Sequence, residues 1–281
     1  MARVSNVARE RFAQKLLDYK SDIEEIQKRE RQILAHIEKR PEQASLRNLS
    51  LAHESLNLVS YYVLMNELSI SLLGVKNEAY LNDVRKGCYR SIIYLEKTVS
   101  SLIDAPFSDY EERLAPLKGI ADEKKYFLIR KLGFAIQSVV DSYGDNTKWK
   151  WFFVELDGRF ATVTKNVLDL KNLLAGLDPR VDGFEARTSH LNLAKKYLQK
   201  AADGYRQKYE LSTLRIDDFK LAIDYLSALR RLHIVLGDSE EADSLKRKID
   251  IWSTKMEADS RKLEQDAKAK ARSQNQKKKK K

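Results

Sequence analysis

The chain has 281 residues, 43% hydrophobic and 33% charged, with one cysteine, four prolines and ten glycines. A single thiol excludes an internal disulfide and fits a reducing compartment, while scarce Gly and Pro permit very long helices. The formal net charge of +11 is unevenly placed: residues 267–281 hold eight Lys or Arg and no acid, so the preceding 266 residues are only +3. The pI of about 9.4 therefore describes a tail rather than a body.

The first residues contain no uninterrupted apolar stretch of the kind a secretory signal requires. The most apolar run, Ser60 to Val75, carries Asn66 and Glu67 in its middle and is shorter than the ~20 residues that span a bilayer. No transmembrane segment is expected, and the chain reads as a soluble cytoplasmic protein.

The first predicted helix runs from about Val4 to Lys39. Phe12, Leu16, Tyr19, Ile23, Ile26, Glu30, Ile33 and Ile37 recur at alternating spacings of four and three, a coiled-coil heptad with one polar break at Glu30. Pro41 stops it. A straight helix of this length spans about 54 Å. The second, about Ala44 to Leu73, carries one stripe through Leu49, Ala52, Leu56, Val59, Val63, Asn66, Ile70 and Leu73. A second stripe of Leu51, Leu58, Tyr62, Met65 and Leu72 makes it the central helix of an antiparallel hairpin bundle. Gly74 ends it. A third helix, about Asn77 to Ile103, lines up Tyr80, Val84, Cys88, Ile92, Leu95, Val99 and Leu102.

Residues 104–119, with Pro106, Pro116 and Gly119, read as a linker with a short helical piece. Helices are predicted at about Ala121 to Ser142 and Thr147 to Leu174, the latter with Trp149, Phe152, Phe153, Leu156 and Phe160 at helical spacing. A loop over 175–187 precedes three more, about Ser189 to Leu211, Ile216 to Leu236 and Ser239 to Glu264. The expected architecture is all-α: an N-terminal coiled-coil-like bundle over 1–103, the linker, a C-terminal helical region over 120–266, and a basic disordered tail over 267–281.

Ala194, Leu198 and Ala201 follow a small–large–small spacing. Leu226 to Leu229 lead to a Gly237-Asp238 turn, with small Ala242 opening the next helix. With these residues the stretch 190–252 resembles tetratricopeptide-repeat hairpins, the first set matching a repeat's second helix and the second set a first helix, its turn and the start of its partner. Arg230, His233, Lys246 and Ile249 depart from that pattern. The resemblance implies α-solenoid-like pairs and an interaction surface on the helix from Ile216 to Leu236, with Asp224, Ser227 and Arg231 as contact residues.

Motifs for catalysis are missing. His53-Glu54 begins like a zinc-protease signature, but Asn57 stands where the second histidine is needed. His36, His190 and His233 have no ligand partner at metal spacing, and the glycines are scattered singly, so no phosphate loop is present. Cys88, on an apolar stripe, reads as a buried hydrophobe. No cofactor or metal is expected. Trp151, flanked by Lys150, falls outside the core spacing of its helix; it belongs either to a wide core face or to an exposed anchor. The reading is a non-enzymatic adaptor or scaffold with protein partners, self-association through the heptad helices, and Lys277, Lys278, Lys279, Lys280 and Lys281 as an electrostatic tether for an acidic protein, a membrane surface or nucleic acid. The alternative is a nucleic-acid-associated protein that grips phosphates through that tail.

Overall fold

The computed structural model describes residues 5–144 and 148–279; the side chains of 266, 267 and 269–279 fall outside that description. It is all-α, with no strand among the described residues. In chain order the helices are α1 (Asn6–Lys39), α2 (Ala44–Leu73), α3 (Glu78–Thr98), α4 (Glu111–Leu114), α5 (Asp122–Tyr143), α6 (Lys150–Asn166), α7 (Leu173–Gly176), α8 (Phe184–Lys208), α9 (Ile216–Val235) and α10 (Ser239–Lys279).

Local chemistry sets the helix ends. Ser5 caps α1 by accepting the Ala8 amide at 3.1 Å, and Pro41 follows its last residues. Gly74 closes α2 at φ +67°, a left-handed position where a Cβ is costly, and its N–H returns to the Ile70 carbonyl. Asn77 then caps α3 through the amides of Ala79 and Tyr80. Gly237, at φ +72°, turns the chain between α9 and α10.

The chain divides into two compact units, Met1–Ala194 and Lys195–Lys281, with the division inside α8. In the first unit α2 packs against α1, α3 and α5, and α3 also meets α5 and α6. The eight heptad positions of α1, Phe12 through Ile37, are all buried or half-buried, while their immediate neighbours are mostly exposed. Ile23 and Ile26 meet Leu58 and Met65, and Leu16, Tyr19, Tyr61, Tyr62 and Tyr80 pack around them. Glu30 is buried in this seam. Ser55 Oγ donates to its Oε1 at 3.2 Å, and Arg90 stands 3.8 Å away. The stretch Pro41–Leu73 is long and apolar enough to cross a membrane by length and composition; here it is the helix around which the first unit assembles.

Three expectations change. Residues 104–119 are not a spacer between domains: Ala105, Tyr110, Leu114 and Leu117 are buried, so this segment belongs to the core of the first unit. Two helices are shorter than expected. α3 stops at Thr98, and α6 at Asn166, whose amide donates to the carbonyls of Ser100 and Leu102 at 2.9 and 3.1 Å. Asp169 then holds the amides of Lys171 and Asn172 in a turn. At the far end α10 continues as helical backbone to Lys279, past the approximate end expected at Glu264. Its run of Ala, Lys, Arg and Gln consists of strong helix formers. Lys280 and Lys281 lie outside the described residues.

In the second unit α9 and α10 pack side by side. Tyr205 stacks on Tyr225, and Tyr209 on Phe219. Trp252 of α10 is buried with Arg206 and Lys248 at 4.9 and 4.8 Å from its ring centre.

Candidate functional site

The first turns of α5 are the point in the first unit where three surface depressions adjoin. One, of about 790 Å³, is walled by residues of 114–125, 167–176 and 181–190. Asp122, at the start of α5, accepts from Lys125 Nζ at 3.1 Å and from Arg187 Nε at 2.9 Å. Arg187 also donates to the carbonyls of Gly176 and Asp182. A Cβ at position 176 would stand 2.7 Å from the guanidinium nitrogens, so glycine there makes room for the clamp. Partial burial pushes the Asp122 carboxyl up, but the hydrogen bonds from Lys125 and Arg187 outweigh it and hold it below the usual range. These charges are spent on tying the 176–183 segment to α5.

Behind this wall lies a buried polar layer. His190 Nε2 donates to the Thr164 carbonyl at 2.9 Å, and burial pushes its pKa down to about 4. Lys165 is 1% exposed, with Nζ 5.2 Å from the Tyr110 ring centre.

The second depression, about 660 Å³, is the apolar one. It runs between α2 (Leu49, His53, Glu54) and α5 (Lys124, Phe127, Leu128), over Leu95, Ile129 and Val167. Its rim is a connected polar network. Arg29 donates to both oxygens of Glu54 at 3.1 and 3.2 Å, Asn57 Nδ2 bonds Glu54 at 3.1 Å, and Lys131 Nζ donates to Asn57 Oδ1 at 2.6 Å. Partial burial pushes the Glu54 carboxyl up, and Arg29 and Asn57 more than reverse this. Burial, then the charge of Lys131, lowers His53, while burial lowers Lys131 itself.

Phe127 lines this groove and also the third depression, of about 720 Å³, with Tyr126, Arg130 and Phe184. It is 51% exposed, and Phe134, seven residues on along α5, is 75% exposed. Two exposed phenylalanines a heptad apart, with Arg130 and Lys131 between them, form an apolar and cationic face. A helix this well packed on its other sides has no internal use for them.

The model of the TP0443 family matches residues 8–260. The chain belongs to the TP0443 family. The match takes in both compact units and stops before the basic segment of α10. No curated protein and no solved structure matches this family member.

The residues expected to form a site are not among those that line this groove. On α9 Asp224 is exposed, Ser227 and Arg231 are half-buried, and Asp224 and Arg231 are each engaged within the protein. Trp151 is half-buried, with Lys150 Nζ 5.0 Å from its ring centre. Its neighbour Trp149 receives the Arg85 guanidinium at 4.0 Å. Of the lysine tail, Lys277–Lys279 are helical backbone. Phe127, Phe134 and Lys131 were not singled out from the sequence, and His53 was weighed there only as half of a zinc motif. The available signal was the pair Phe127 and Phe134 at a seven-residue interval on a helix whose core stripe is already complete without them.

Proposed function

We propose that this chain is a non-enzymatic cytoplasmic adaptor that seats an amphipathic helix of a protein partner along the groove between α2 and α5. The observation that carries the reading is the exposure of Phe127 and Phe134 on one helix, beside an apolar channel. Lys124, Arg130 and Lys131 outnumber Glu123 on this face and leave it positively charged, so the fitting partner segment is apolar on one side and acidic at its edges. The repeat-like character of the second unit belongs to the same proposal. It is supported by burial of Ala194, Leu198, Ala201, Leu226, Leu229 and Ala242, the small and large residues that carry the resemblance. The basic segment after residue 266 acts as an electrostatic tether.

A photo-reactive residue at position 127 tests the groove. The expected result is a crosslink to one partner species, lost on charge reversal of Lys124 and Lys131 and not seen from a probe at exposed Glu112 on the same unit. Equal crosslinking from both positions, or none from 127, overturns the reading. The second reading, nucleic-acid association through the tail, is motivated by its eight cations. Mobility shift that persists after deletion of residues 267–281 would remove its basis.

A further inference from the structure

α8 ends in a π-helical turn, Tyr209–Thr213, followed by Leu214 at φ +50°, ψ +23°. A leucine in the left-handed region is held there against backbone strain. The turn is held in place from beneath. Buried Asp218 accepts from Lys208 Nζ at 2.8 Å and from Thr213 Oγ1 at 2.7 Å. What this anchored turn does is present two leucines to solvent: Leu211 is 70% exposed and Leu214 59%.

The same end of the second unit is where α10 passes. Tyr209 donates to Asp259 at 2.8 Å, and Lys255 is 3.8 Å from Glu210. Beyond Asp259 the helix runs on for 20 residues to Lys279, roughly 30 Å at helical rise. That extension leads into the eight cations of residues 267–281. Four acids near this end have cationic partners: Glu210 with Arg206, Asp217 with Lys220, Asp218 with Lys208, and Glu257 with Arg261; Glu264 and Asp266 precede the eight cations, which outnumber them. A leucine-bearing turn and an excess of positive charge therefore share one end of the unit.

We infer that this end docks on an anionic lipid bilayer, with Leu211 and Leu214 entering the boundary between headgroups and acyl chains and the basic extension of α10 lying along the charged surface. The inference rests on the tether reading of the basic segment and gives that tether its target. Charge alone would suit nucleic acid as well, but exposed leucines gain nothing from phosphates, and residues 261–281 contain no aromatic side chain on which a base could stack. Apolar insertion combined with basic charge is the pairing that stable interfacial attachment requires.

The test is flotation of the full chain with phosphatidylcholine vesicles, with and without phosphatidylserine, alongside heparin affinity as a lipid-free polyanion probe. The variant is Leu211→Ser with Leu214→Asn, since Asn tolerates the left-handed backbone and folding is kept. The expected result is binding only to the phosphatidylserine vesicles, weakened about tenfold or more by the double variant, with heparin affinity unchanged. A polarity-sensitive dye on Leu211→Cys should shift to the blue only with those vesicles, and buried Cys88 leaves the label selective. Full vesicle binding by the double variant, or no dye shift, overturns the insertion. Heparin affinity unaffected by deletion of residues 267–281 overturns the tether itself, and a chain that binds heparin but no vesicle overturns the lipid target alone.

Discussion

His190 and Thr164 are joined by a hydrogen bond 26 residues long in sequence and 2.9 Å long in space. The carbonyl can only accept, so Nε2 of the imidazole carries a proton, and burial is what disfavours a second one on Nδ1. It lies in the core of the first unit, where a second proton would have to be buried with it.

Stability should therefore fall with acid. The folded pKa of His190 is lowered to about 4 from 6.5. A group depressed on folding stabilises above its unfolded pKa, and the contribution is lost as pH falls from about 6.5 toward 4. The slope is at most about 1.4 kcal/mol per pH unit, on the order of 3 kcal/mol over the window. His190→Gln keeps a donor for Thr164 and should flatten that part of the profile. Denaturant midpoints of the two proteins across pH 4 to 7 check this; parallel curves would contradict it.

Arg187 should matter more to local order than to the whole fold. Arg187→Met removes the clamp on Asp122 and on the carbonyls of Gly176 and Asp182, at a cost of about 1–2 kcal/mol given its partial exposure. Hydrogen exchange should quicken over residues 176–187 and remain unchanged in α1 and α10. Uniform acceleration would mean the clamp holds the entire unit.

Gly87 sets how closely α3 approaches α2. A Cβ there would stand 2.4 Å from Val59 Cγ2, a contact real side chains do not make. Gly87→Ala should destabilise by about 1–3 kcal/mol, because the β-branched valine has little freedom to turn aside. Adding Val59→Ala to Gly87→Ala should recover part of the loss. Additive destabilisation in that double variant would show the clash is not the cause.

Cys88 should be inert in the native protein. It is fully buried, and burial raises its pKa to about 12. Labelling by a thiol reagent should track global unfolding in denaturant, with no fast phase in buffer. Rapid native labelling would place α3 at an opening surface.

How much of this was legible in the sequence depended on whether the signal was periodic. The heptad from Phe12 to Ile37 reads correctly because each residue's burial follows from its neighbours three and four away. The end of α2 at Gly74 and the burial of Cys88 read correctly for the same local reasons. Helix ends at Thr98 and Asn166 did not, since Asn166 is recruited by carbonyls more than 60 residues away. The Arg187–Asp122 pair spans 65 residues and leaves no spacing to find. The groove was missed because it is a property of two helices together: Leu49 and Phe127 are ordinary on their own helices and become a channel only when α2 and α5 lie side by side.

A seam that repeats every seven residues is, by its apolar contacts alone, free to slide. Moving α1 by one heptad along α2 would put Ile33 in the place of Ile26, and Ile26 in the place of Tyr19, one large apolar residue for another. Glu30 removes that freedom. Ser55 and Arg90 meet it in one alignment, and any other would strand a carboxylate in the seam without partners, at several kcal/mol. The one acid among eight seam positions thus works as an index mark: it gives the longest hairpin of the first unit a single zero point.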